Sequence, residues 1–177
     1  MSVLDIIQSR REITSFLEKK IPKEVLKQIA EAAYYAPSGN NLLSREFIMI
    51  ENREMLDHLE KTTPFMKWMS TAQAAIVVTG RPNTSKYWLQ DASIATAFIW
   101  LAASDLNIGV GFGAVYHAED EEESSVRETH VRKALNIPAD RRIVAILGLG
   151  FPAENPKKKK MLNRQDTVFY ETFSVDH

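Results

Sequence analysis

Three groups of residues in this 177-residue chain have the chemistry to hold a ligand. Arg10 and Arg11 are adjacent, and a pair of guanidinium forks suits a phosphate or carboxylate. Pro37, Ser38, Gly39, Asn40 and Asn41 are small or turn-forming residues that let backbone approach a ligand closely. Lys157–Lys160 is a basic run near the end. Each also has an ordinary reading. The arginines are solvated or pair with Asp5 and Glu12, the loop only joins a helix to a strand, and the lysines form a solvated tail. Absent residue types narrow the chemistry. There is no cysteine, which excludes disulfides, thiolate nucleophiles and Cys-ligated zinc. His58, His117, His130 and His177 have no metal-ligand spacing, so no metal is expected. No triad or carboxylate pair is evident, and no catalytic side chain is named.

Composition sets the class of protein that carries these groups. With 22 basic and 23 acidic residues there is no broad basic field for nucleic acid. The N-terminus turns polar too early for a signal peptide, and the longest apolar run, Ile94–Ala103, is too short to span a bilayer. The expectation is a soluble, cytoplasmic protein with a single domain over residues 1–177.

Periodicity then gives the elements. Ser2–Arg11 reads as a short helix with Val3, Ile6 and Ile7 on one face. Pro22 starts a second, amphipathic helix carrying Val25, Leu26, Ile29, Ala30, Ala33 and Tyr34. Pro37 ends it, and Glu46–Ile50 is strand-like. Arg53–Lys61 is helical, while Phe65, Met66, Trp68 and Met69 either line a pocket or belong to the core. Ala74–Thr79 and Arg142–Leu149 are buried strands. Tyr87–Leu106 is the longest helix and is apolar all round, which predicts burial on every side, with its small residues allowing a helix of another chain to pack closely. Asp91, the one charge in its first half, reads as a first-turn dipole partner.

Ile108–Val115 is glycine-rich and follows a helix, so it is a strand rather than a dinucleotide loop. Glu119–Glu123 reads as a mobile acidic loop before a helix over Ser124–Leu135, with Ser125 and Glu128 at capping-box spacing. Val168, Phe169, Tyr170 and Phe173 argue that the tail is tied to something. Together the elements predict an α+β fold, a small, mostly antiparallel sheet flanked by helices.

In order, the segments Arg10–Phe16, Ala36–Phe47, Gln90–Ala95, Ile108–Ala114 and Gly148–Glu154 resemble the motifs of the nitroreductase family of FMN-dependent oxidoreductases. The resemblance covers about Met1 to Phe173. It implies an intertwined homodimer with a long buried central helix, and a tail over 155–177 packed on the partner subunit. It implies FMN in a cleft at the interface. Arg10, Arg11 and Glu12 of one subunit would hold the phosphate and flavin edge. Pro37, Ser38, Gly39 and Asn41 of the other would approach the flavin, Gly113 and Ala114 would lie near the isoalloxazine, and Lys159 and Lys160 would add late basic contacts. The implied activity is transfer of electrons from NADH or NADPH to a small acceptor such as a nitroaromatic or quinone, by a ping-pong route. The chain departs from the family pattern at Glu12, Thr14, Leu43, Ser44, Arg45 and Met161. The alternatives are a binding or interaction protein that no longer catalyses, and a member with altered flavin chemistry such as reductive dehalogenation.

Overall fold

Two aliphatic, β-branched runs build the centre of the protein. In the structure, a computed structural model describing residues 2–173, they are β2 (Ala74–Gly80) and β4 (Arg142–Gly150), paired antiparallel. β1 (Arg45–Ile50) flanks β2 and β3 (Gly109–Ala114) flanks β4, giving a four-stranded antiparallel sheet in the order β1-β2-β4-β3.

Strand alternation sorts the core into two layers. On one face Ala74, Ile76, Val78, Ala145, Leu147 and Leu149 meet α2 (Lys23–Tyr35) and α4 (Trp88–Asp105). On the other, Ala75, Val77, Ile143 and Ile146 meet α3 (Arg53–Glu60), the 3-10 turn Lys67–Thr71 and α5 (Glu121–Leu135). With both faces covered, β2 and β4 read as continuous apolar runs. Met66 and Met69 are core, Trp68 is half-buried and Phe65 is exposed.

The N-terminal segment is stitched to the far edge of this sheet. α1 (Val3–Ser9) begins with a capping box between Ser2 and Asp5. The backbone N–H of Ser2, and then its hydroxyl, hold the Asp5 carboxyl below the usual carboxylate range. Beyond α1, Glu12 bridges Val110 in parallel, and Ile13 N–H donates to Val110 O at 3.0 Å. Farther on, Ala153 N–H donates to Ser15 O and Leu17 N–H to Phe151 O, at 3.0 and 2.8 Å. β3 is therefore covered along its open edge, as sheet edges commonly are.

Three expectations are corrected. Glu119–Glu123 is not simply a loop: Asp120 caps α5 by accepting Glu123 N–H at 2.8 Å, and Glu121–Glu123 form its first turn. Three carboxylates suit the positive end of a helix dipole. Ser125 and Glu128 form no capping box, because both lie inside that helix; Glu128 is buried and accepts from Arg142 and Ile143 N–H. The long helix is not buried on every side within one chain either. Ile94 and Phe98 are 41% and 40% exposed, with Gln90, Ser93 and Ala97 on the same exposed stripe.

Candidate functional site

The loop after α2 is built under constraint. Asn40 and Asn41 both adopt φ of 55°, left-handed geometry that asparagine tolerates better than most residues. Ser38 Oγ donates to Leu42 O at 2.8 Å and closes the turn. Asp91, only 3% exposed in the first turn of α4, anchors it from below. Its Oδ1 accepts Gly39 N–H at 2.9 Å and its Oδ2 accepts the Ser44 hydroxyl at 2.5 Å. Gly39 has no room for a side chain, since a Cβ there would lie 2.6 Å from the Tyr87 ring. Arg45 folds onto the same loop, donating to Ala36 O and Leu42 O, and so caps the last carbonyl of α2.

The second half of the site lies at the β3 edge. The Arg10 guanidinium sits 4.7 Å above the Trp100 ring, and Trp100 stacks on Phe112 with centroids 6.1 Å apart and planes 9° apart. Glu12 Oε1 accepts Phe112 N–H at 3.2 Å. Arg11 turns Nη1 toward the carbonyls of Gln8, Ser9 and Arg10. A 370 Å³ cavity opens here, bounded by Arg11, Glu12, Thr14, Glu154, Asn155 and Lys157 among others. Two donors, Arg11 Nε and Trp100 Nε1, are buried without an acceptor among the described residues.

The structure brings Arg11 and Glu12 together around this cavity and puts Arg10 on the adjoining aromatic stack. The cavity lining includes none of Pro37, Ser38, Gly39 or Asn41. Gly113 is buried on the face that packs against Met66, and Ala114 is exposed at the strand end, its carbonyl accepting from Arg127 at 3.1 Å. Lys159 and Lys160 are exposed, and Lys157 is the member of the basic run that reaches the cavity. Within the 155–177 tail the described residues end at 173; Val168, Tyr170 and Phe173 are exposed, and 174–177 fall outside the described residues.

Sequence reasoning missed the anchoring role of Asp91 and the parts played by Trp100 and Phe112, and within the basic run it singled out Lys159 and Lys160 rather than Lys157. A lone acid in an apolar helix was the available signal for Asp91. Nothing local in the sequence pairs Trp100 with Arg10.

A larger cavity, 410 Å³, is lined by Phe16, Lys20, Glu51, Arg53 and Thr71 among others, but its Arg53 is already committed to Asp57 and to the Met69 and Ala72 carbonyls.

Comparison with known proteins agrees with the family resemblance. The Nitroreductase family model matches residues 7–75. Two archaeal proteins, each named "Putative NADH dehydrogenase/NAD(P)H nitroreductase", align over most of the chain. That of Methanothermobacter thermautotrophicus is 32% identical, with 92% of this chain and 84% of that protein aligned. That of Archaeoglobus fulgidus is 36% identical, over 85% and 86%. Among solved structures, the FMN-dependent nitroreductase of Clostridium difficile R20291 superposes with a TM-score of 0.83 at 27% identity, covering 96% of this chain and 99% of that one.

Proposed function

This chain belongs to the nitroreductase family, and from that premise we propose that it is an FMN-dependent oxidoreductase passing electrons from NADH or NADPH to a small acceptor such as a nitroaromatic or quinone. One observation carries the reading. The arginine segment and the start of the basic run line one cavity, with Arg11 Nε there buried and without an acceptor among the described residues, and the Glu12–Phe112 hydrogen bond joins this cavity to the β3 edge. A flavin ring with its ribityl chain is rich in acceptors and suits such donors.

FMN, when bound, supplies the two-electron redox chemistry, which is why no acid–base dyad is needed from the protein. The chain's own residues bind and orient. Arg10, Arg11 and Lys157, with Lys159 and Lys160 farther out, would face the phosphate, with Glu12 and Glu154 beside them offsetting their charge. By the family resemblance, Gly113 and Ala114 would lie near the isoalloxazine. Pro37, Ser38, Gly39 and Asn41 belong to a loop already fixed by Asp91, so little ordering entropy is lost when it meets a ligand. That loop serves the cleft of a second copy. The exposed stripe of Ile94 and Phe98, with Val3, Leu4 and Ile7 of α1, is the surface on which the two copies meet, and the aromatic tail packs across it. Reductant and acceptor use the cleft in turn, the ping-pong order.

The test is an absorbance spectrum of the purified protein under anaerobic conditions. A yellow protein whose visible bands bleach with NADH or NADPH and return with a quinone supports the proposal. A colourless protein that ignores added FMN refutes it and favours the reading in which Glu12, Thr14 and Leu43-Ser44-Arg45 mark lost catalysis.

A further inference from the structure

The cavity that takes the phosphate end of the cofactor has an unusual charge balance. Among its lining side chains Arg11 and Lys157 are cationic, and Glu12 and Glu154 are anionic. The formal charges cancel. Arg11 is further discounted, because Nη1 is already engaged with three backbone carbonyls. Arg10 lies over Trp100, and Lys159 and Lys160 are exposed.

Glu12 is not free to swing out of the way without cost. Its Oε1 accepts Phe112 N–H at 3.2 Å, and its backbone is bridged to Val110, so the carboxylate is held at the β3 edge with its second oxygen uncommitted. A phosphate monoester carries about −1.5 to −2 at pH 7 and offers only acceptors once ionised. Beside a fixed carboxylate it is repelled, and no hydrogen bond forms between two acceptors. A hydroxyl at the same place donates to that oxygen.

We propose, resting on the flavin reading above, that Glu12 makes this site select poorly for the phosphate, so that riboflavin competes with FMN for the same cleft. Glu12 is thereby a specificity-determining residue. The ring and ribityl chain are common to both flavins and do not discriminate between them, while the terminal phosphate gains little. The recognised chemistry is an isoalloxazine with a polyol chain, ending in either hydroxyl or phosphate.

The test is competitive retention. The purified full chain is dialysed against equal concentrations of FMN and riboflavin, and the retained flavins are extracted and quantified by chromatography. The wild type is expected to hold the two within about tenfold of each other. Glu12→Gln keeps an oxygen for Phe112 N–H but removes the charge, and Glu12→Ser removes the carboxylate entirely. Each is expected to shift retention toward FMN by at least about tenfold, and the shift is expected to shrink as salt rises. Wild-type protein retaining FMN more than about a hundredfold over riboflavin overturns the inference and leaves the flavin assignment intact. An unchanged ratio in Glu12→Gln, with flavin still bound, overturns it as well. Retention of neither flavin by the wild type overturns the flavin assignment itself, and this inference with it.

Discussion

Replacing Asp91 with alanine should loosen the 38–44 loop and measurably destabilise the whole chain. The carboxylate is 3% exposed and accepts from Gly39 N–H and from the Ser44 hydroxyl. Hydrogen bonds to a charged group contribute about 1.5–3 kcal/mol each, so the pair comes to roughly 3–6 kcal/mol. Part of that is returned, because alanine also removes the several kcal/mol cost of burying a carboxylate. Gly39 is only half-buried and regains water, whereas Ser44 is fully buried and does not. The expected net loss is about 2–3 kcal/mol, which for a chain of this size lowers Tm by roughly 4–12 °C. Asp91→Asn keeps an acceptor for Gly39 N–H and should lose about half as much. Urea denaturation gives the global number. Hydrogen exchange at the Gly39 amide gives the local one, and it should be protected in the wild type and fast in Asp91→Ala. A variant within about 0.5 kcal/mol of wild type, with the Gly39 amide still protected, would refute the anchoring role.

At Gly111 a Cβ would lie 2.7 Å from the Trp68 ring and 3.0 Å from the backbone oxygen of Ile13, so Gly111→Ala is expected to cost about 1–3 kcal/mol, read by urea denaturation; stability equal to wild type counts against the close packing of that segment. Phe98→Glu alters a side chain 40% exposed in one chain, so the fold should survive while light scattering changes from dimer to monomer; a monomeric wild type, or a variant that stays dimeric, contradicts the proposed seam. Asp5 is held below its ordinary range, so its cap stabilises α1 at pH above the unfolded aspartate value and is lost as pH falls through the lower folded value. Ser2→Ala removes the hydroxyl but keeps the backbone N–H that Asp5 accepts, so the Asp5 side-chain titration, followed by NMR, should move only part of the way back upward; an unmoved midpoint would show that the hydroxyl contributes nothing to it.

What could be read from the sequence divides along physical lines. The short continuous apolar, β-branched runs at 74–80 and 142–150 report local geometry and burial on both faces, so those strands were legible. The start of α5 was misplaced because an acidic run is equally at home in solvent and on a helix N-terminus, and only the Asp120 cap decides between them. The parallel bridge from Glu12 to Val110 joins residues far apart in the chain and leaves no periodic trace. Arg45 reads from composition as spare positive charge near the loop, yet its guanidinium is engaged with the Ala36 and Leu42 carbonyls. The three candidate groups were visible from residue type alone, while their distribution between the cavity and the anchored loop depends on tertiary contacts.

Two carboxylates pin the two halves of the site, and they do so by the same device of accepting a backbone N–H: Asp91 from Gly39 and Glu12 from Phe112. Their surroundings give the two groups different work. Asp91 has both oxygens occupied inside the protein and presents no spare acceptor to a ligand. Glu12 is exposed, lines the cavity, and has one oxygen with no partner among the described residues. Neutralising each should therefore separate stability from selection. Asp91→Asn should lower stability and leave the FMN-to-riboflavin ratio within about twofold of wild type, while Glu12→Gln should leave stability within about 0.5 kcal/mol and shift the ratio. Surface charge changes rarely cost more than that, whereas buried hydrogen-bonded ones do. If Asp91→Asn moved the ratio as far as Glu12→Gln, the phosphate end would be responding to the geometry of the loop, and the charge of Glu12 would not be the cause.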